Sequence, residues 1–405
     1  MQLRRVLIAW ELGGNLGHLA RLLPIARHLR LHGTDIAVAA RNPSRVLQVL
    51  ACEGATVWQA PAGGSAPPTR AARNHPDVLL LDGFADRAGV MRRVAGWKRL
   101  FVEFQPDVVL ADFSPMAIFA ARACGVPVLP IGHGFDIPPP LDATPSFQPW
   151  AAQGDLEAKA NAELEDALRV LVPMLGARTP ATLAALYPPR KSALCIFPEL
   201  DHFERPEGQN CFVGPLWGDL SDQAPPAWPK VAGKRVLCYL QPDQLLLVSL
   251  ADALGAWSCS VILLSPGLSA AGASLLRARG MQVATEPVAV AALVEQADAV
   301  ITQGGMGFVA MAFQAGLPLL LLPAVAEQLI LARALVKRTL CAATVHGADM
   351  RVLQKKIEAL LRPDPARAEA LGRYQANHRA YMPGIAVQKT VQLLEAHRMD
   401  ESHDH

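Results

Sequence analysis

The sequence predicts an α/β protein of two doubly wound, Rossmann-like parallel-sheet domains. Two observations carry this. Short apolar runs alternate with amphipathic helical stretches in both halves of the 405-residue chain, the pattern of strand–helix–strand units with right-handed crossovers. The alternation then breaks at a proline-rich stretch and restarts. At roughly 100–200 residues per domain the length fits two such units.

In the first half, Val6–Trp10 reads as a strand. A helix from Gly17 to Leu31 follows, with Leu19, Leu22, Leu23, Ala26 and Leu29 at helical spacing. Ile36–Ala40 and Ala55–Trp58 are further strands, separated by a helix near Ser44–Cys52, and Pro61–Pro76 is a loop. Val108–Asp112 is a strand with an acid at its carboxyl end, followed by a helix over Pro115–Cys124 and a strand over Val126–Ile131. Phe135–Trp150 holds five prolines; Leu156–Val172 is helical; Ala193–Phe197 and Phe212–Pro215 are short strands. After Gly218–Gly233 the strands resume at Val236–Leu240, Val261–Leu264, Met281–Ala284, Ala299–Thr302 and Leu319–Leu322. The expected organisation is a domain over 1–217, a linker over 218–233, a second domain over 234–386, a helix over 387–399 able to pack back on the first domain, and a frayed tail over 400–405.

Composition narrows the function. Hydrophobic residues make up 51% of the chain and charged residues 18%, enough for large cores. Net charge is +2, without the concentrated basic face that nucleic acid demands. Seven scattered cysteines lack any CxxC, which argues against a disulfide framework or a zinc site and for a reducing compartment. The first apolar run is too short for a signal peptide, and Leu317–Val325 is interrupted by Pro318 and Pro323, far below spanning length. A cytoplasmic protein without a transmembrane segment is expected, with peripheral membrane contact still open.

Ligands of open parallel sheets bind beyond the carboxyl ends of the strands. Two places there stand out. Gly13-Gly14-Asn15-Leu16-Gly17-His18 follows the first strand and opens a helix, so Gly17 and the helix amino end offer N–H groups to a polar ligand. The spacing is not GxGxxG, and a dinucleotide site is disfavoured. His18 at this junction can act as a base near neutral pH, though a His capping the first turn explains it equally. Asp112 reaches the same sheet edge, where a carboxylate would fix the tautomer of a neighbouring imidazole. It also fits an N-cap, a task open to Ser114 as well. The second place is Thr302-Gln303-Gly304-Gly305-Met306-Gly307-Phe308, a strand, a glycine-rich turn and a helix, suited to the close approach of a phosphate. Glu327 and Gln328 open a later helix and can accept hydrogen bonds from sugar hydroxyls; they fit first-turn helix residues too.

In this order the motifs G-x-x-G-H (Gly14–His18), V-x-x-D (Val109–Asp112), F-V-G-P-L (Phe212–Leu216), A-D-A-V-I-T-Q-G-G-M-G (Ala297–Gly307), A-G-L-P (Ala315–Pro318) and Glu327-Gln328 resemble the GT-B glycosyltransferases, over nearly the whole chain. The likeness is greatest to the family 1 UDP-glycosyltransferases and macrolide glycosyltransferases, and extends to family 28. It implies two domains facing a cleft. It also implies inverting transfer of a hexose from a UDP- or dTDP-sugar, a co-substrate rather than a bound cofactor, to a hydroxyl on an apolar small molecule or lipid, with no metal. By this likeness His18 is the base and Asp112 its support; Gln303, Gly304, Gly305 and Gly307 bind the diphosphate; Glu327 and Gln328 hold the sugar. The acceptor would lie near Asn15, His18, His133 and Phe135–Trp150. The chain departs from the family at four places. Gln303 replaces the phosphate-binding His, Phe308 a Ser or Thr, Met311 the ribose-binding Glu, and Gln241-Pro242 a Gly-Ser. These departures leave open a catalytically impaired member that binds a nucleotide sugar or a partner protein. A nucleotide-sugar 2-epimerase, which works with several acids in its cleft, is disfavoured.

Overall fold

The computed structural model describes residues 3–14, 16–49, 54–62, 70–141, 144–151, 155–206, 208–218, 223–345, 347 and 349–400. Asn15, the centre of the expected linker (219–222) and residues 401–405 of the tail lie outside them. The chain divides into two compact units, Met1–Leu216 with Met382–His405, and Trp217–Tyr381.

The first unit is built on β1 (Arg5–Trp10), β2 (Asp35–Ala40), β3 (Thr56–Gln59), β4 (Val108–Asp112), β5 (Val128–Gly132), β6 (Ala193–Leu194) and β7 (Cys211–Phe212). They form one parallel sheet in the order β3-β2-β1-β4-β5-β6-β7. Helices cover both faces, so β4 is buried at every position, and its Val-Val-Leu-Ala run reads as continuous apolar sequence. The helix Leu16–Leu31 buries Leu19, Leu22, Leu23, Ala26 and Leu29, each leucine worth on the order of 2 kcal/mol over exposure. That same buried side also carries two polar residues, His18 and Arg21.

The order of strands reverses between β1 and β4, where β1 leads outward to β2 on one side and β4 to β5 on the other. A crevice opens at the carboxyl ends of such a pair. Trp10 of β1 stands opposite Asp112 of β4 in register. The second unit repeats the plan with β8 (Arg235–Tyr239), β9 (Ser260–Leu264), β10 (Gln282–Ala284), β11 (Ala299–Thr302), β12 (Leu319–Leu321) and β13 (Cys341–Ala343), again parallel, ordered β10-β9-β8-β11-β12-β13. Its switch point lies between β8 and β11, with Tyr239 opposite Thr302.

Several boundaries differ from the sequence reading. The stretch expected to be helical over Leu156–Val172 is two helices, Leu156–Arg169 and Val172–Leu175, with Pro173 near the start of the second. The strand expected to reach Phe197 stops at Leu194, because the next strand, β7, pairs with only two residues there. Pro76 sits in the first turn of a helix, His75–Leu79, rather than in a loop, since proline's missing N–H costs nothing there. The last helix starts at Pro383, earlier than 387, and packs on the helix Leu16–Leu31 and on β4 and β5. Most of the stretch read as a linker belongs to the second unit: Gln223 O accepts from Ala289 N, and Ser260 Oγ donates to Pro229 O at 2.9 Å.

Candidate active site

At the switch point of the first sheet, the helix Leu16–Leu31 brings His18 onto the end of β4. His18 Nδ1 lies 3.0 Å from Asp112 Oδ1. The same nitrogen lies 3.0 Å from Arg21 Nη2; with Nδ1–H directed at the carboxylate, which only accepts, the lone pair is left on Nε2. The ring stacks on Trp10, with centroids 5.4 Å apart, and on Phe113 at 6.3 Å. Gly13 explains the glycine before the helix. Its φ is +79°, and a Cβ there would collide with His18 Nε2. Gly17 has open space beside its Cα and makes no such demand.

Asp112 does not cap the next helix. Glu11 does: its Oε2 accepts from Met116 N (2.9 Å) and Ala117 N (3.1 Å), and its Oε1 accepts from the Trp97 indole N–H (3.1 Å). Ser114 occupies the cap position but instead accepts from Glu11 N through its Oγ at 2.8 Å. Leu12 N donates to Phe113 O at 3.0 Å, and Phe113 holds φ +44°, a left-handed conformation that costs a non-glycine residue about 1–2 kcal/mol. The ends of β1 and β4 are thus tied together, holding His18 against Asp112. Burial, aided by Asp82, pushes the Glu11 carboxyl up to about 7.

Sequence reasoning missed the group at the centre of this network. Arg21, only 4% exposed, donates from Nε to Asp112 Oδ2 at 3.1 Å, from Nη2 to Asp112 Oδ1, and from Nη2 to Asp136 Oδ2 at 3.1 Å. Asp136 in turn accepts from His133 N at 3.1 Å, and His133 Nδ1 is 3.2 Å from the same oxygen. Burial alone would raise the Asp112 carboxyl, but Arg21 and then His18 outweigh it and hold it near 2. Burial works against a charged His18, while Asp112 more than offsets it, so His18 titrates above its ordinary range. His133 is pushed well below its ordinary range by burial, next by Arg21 and His18, and stays neutral. One oxygen from each of Asp112 and Asp136, with a nitrogen of His18, would suit a metal ion; here Arg21 Nη2 reaches all three residues. The signal that could have found Arg21 is its place three residues after His18, on a helix side otherwise apolar.

Phe113 continues outward into an aromatic cluster. It meets Phe135 edge-on at 6.4 Å, and Phe135 lies 4.7 Å from Phe147. The proline-rich stretch thus reaches the His18 neighbourhood through packed rings.

In the second unit the residues expected to bind the diphosphate follow β11, and those expected to hold the sugar open the helix after β12. Gly304 has φ +108°, and Gln328 packs beside its Cα. Gly305 is the cap residue of the helix Met306–Gln314 and makes no side-chain cap, leaving Gly307 in the first turn. Gln303 is buried, with Oε1 accepting from Gln241 N at 3.3 Å. The Gln328 oxygen accepts from Ala324 N at 2.9 Å. Glu327 is half-buried in the first turn of the helix Ala326–Lys337. Phe308 turns inward, edge-on to Tyr239 at 5.3 Å, which explains an aromatic residue at this position as core.

Two parallel Rossmann-like sheets in one chain define the GT-B fold. Three solved structures share it over nearly their whole length: a calicheamicin glycosyltransferase, CalG4 (TM-score 0.71, 18% identity, 98% of each chain); the kitacinnamycin glycosyltransferase (0.70, 19%, 97% of this chain and 98% of that one); and the glycosyltransferase VinC in complex with dTDP (0.67, 18%, 98% and 100%). No protein-family model and no curated protein matches the chain by sequence. No described helix is long and apolar enough to cross a membrane.

Proposed function

We propose that the chain is an inverting glycosyltransferase that moves a hexose from a nucleoside-diphosphate sugar to a hydroxyl of an apolar small molecule or lipid. The observation that carries this is the His18–Asp112 pair at the switch point of the first sheet, with Gly13 passing close to Nε2 where any side chain would collide with it. In this reading His18 Nε2 takes the acceptor hydroxyl proton as the oxygen attacks the anomeric carbon, and Asp112 stabilises the imidazolium that forms. The bond from that carbon to the diphosphate breaks, and its negative charge meets the free N–H groups at Gly305–Gly307, the helix dipole and the Gln303 amide. This supply of positive potential makes a resident metal unnecessary to the reading. The Gln328 amide and Glu327 would hold the sugar, and the rings of Phe113 and Phe135 suit an apolar acceptor. The dTDP-bound VinC supports a nucleoside diphosphate as the leaving group.

His18→Ala tests the reading. Turnover of a dTDP- or UDP-sugar should fall by roughly 10²–10⁴-fold, with donor binding by calorimetry unchanged. Unchanged turnover on a true acceptor would exclude His18 as base. A second reading, donor binding without transfer, is favoured by one feature: Phe308 and Met311 offer no polar contact where relatives carry one. It predicts nucleotide binding with neither transfer nor slow hydrolysis of the sugar donor.

A further inference from the structure

We propose that Arg21 is a positioning residue, a built-in cation that holds the Asp112 carboxylate toward His18 and opposes protonation of the His18 imidazole. The proposal rests on the assignment of His18 above. Three facts of geometry support it. Arg21 lies one helical turn beyond His18, and its fork grips both oxygens of Asp112, which fixes the plane of the carboxylate as a single-point contact would not. The same Nη2 bridges to Asp136, so a single guanidinium faces two buried carboxylates. It also lies 3.0 Å from His18 Nδ1, where its charge opposes an imidazolium.

The charge balance explains the need. Facing His18 are Asp112 from β4, Asp136 and the neutral His133 from the segment after β5, and Arg21 from its own helix; Trp10 and Phe113 cover the ring. Cys195, beyond β6, also feels the guanidinium, and burial holds it as a thiol at about 12. Without Arg21, two carboxylates buried with no cation would be compensated by protonating His18, and a protonated imidazole cannot accept the acceptor's proton. With Arg21 present, the carboxylates keep a partner other than His18. The guanidinium also takes the place between His18, Asp112 and Asp136 that an ion would otherwise suit.

The test separates charge from fork, using the full-length protein. His18 is followed by NMR titration of its ring, assigned against His18→Ala, and by the pH profile of kcat/KM. In Arg21→Gln, His18 should titrate about one pH unit higher or more, and the acid limb of the rate profile should move with it, while KM for the donor stays constant. In Arg21→Lys the charge remains: His18 should titrate close to its wild-type pH, with kcat several-fold lower because the fork is gone. Asp136→Asn should move His18 the other way, and it serves where Arg21→Gln does not fold. An unmoved His18 in Arg21→Gln, or in Asp136→Asn where it stands in, overturns the proposal. A His18 that shifts as expected in a protein that transfers no sugar sustains the role of Arg21 and overturns the functional assignment instead.

Discussion

Replacing Glu11 by Gln should make the protein relatively more stable as pH rises, and the size follows from the structure. The Glu11 carboxyl sits near 7 in the fold against an ordinary 4.5, because burial and the nearby Asp82 disfavour its charge more than three N–H donors favour it. A group whose folded value is raised contributes stability that is complete below the unfolded value and is lost as pH climbs through the folded one. Between about pH 4.5 and 7 wild type therefore loses, from this group, about 3 kcal/mol, at about 1.4 kcal/mol per pH unit. Gln does not titrate. Whatever fixed amount the substitution costs by facing its amide N–H₂ toward the Trp97 indole N–H cancels when two pH values are compared. The assay is urea unfolding of both proteins at pH 5 and pH 8, followed by tryptophan fluorescence, with the denaturant slope confirmed equal. The difference in unfolding free energy should move toward Glu11→Gln by about 2–3 kcal/mol from the lower to the higher pH. Other buried groups that titrate, such as His75, held down to about 4 mainly by burial, act equally in both proteins and drop out. A difference that stays constant across that range would refute the argument, and would mean Glu11 is ionised in the fold.

Gly13→Ala should lose about 1–2 kcal/mol from its left-handed backbone and displace the His18 ring, lowering kcat on the order of 10²-fold; donor affinity by calorimetry should not change. Asp112→Asn should reduce turnover less than His18→Ala, since the imidazole remains, yet lower the melting temperature more, because removing one partner of the buried Arg21 costs about 3–5 kcal/mol. If the proposed donor site is right, Met311 stands where the resembled family carries a ribose-binding Glu, and dTDP and UDP should bind within about tenfold of each other; calorimetry that finds a strong UDP preference would sink the idea. Gly305→Val should abolish binding of both without unfolding the protein: residue 305 has an ordinary φ of −60° and open space at its Cα, so the fold tolerates the added methyls while the proposed phosphate site does not.

The alternation of apolar runs and helical stretches made both sheets legible, because strands covered on both faces must be apolar throughout. Val108–Leu110 and Ala299–Thr302 could be placed from residue type alone. Motif spacing likewise brought His18 and Asp112 to one edge, since each follows or ends a strand of the same parallel sheet. Short strands were harder. Cys341–Ala343 pairs only at the sheet's margin, and three residues carry too little pattern to be read. Glu11, Arg21 and Asp136 were illegible for a different reason. Each is a single polar residue whose meaning depends on partners 91 to 115 positions away: Arg21 on Asp112 and Asp136, Glu11 on Met116 and Ala117. The local sequence determined that a histidine would stand at a strand-to-helix junction, and that an aspartate would end another strand of the same sheet. Only the tertiary structure decided which cation shares that carboxylate, because burial removes the solvent that would otherwise screen distant charges from one another.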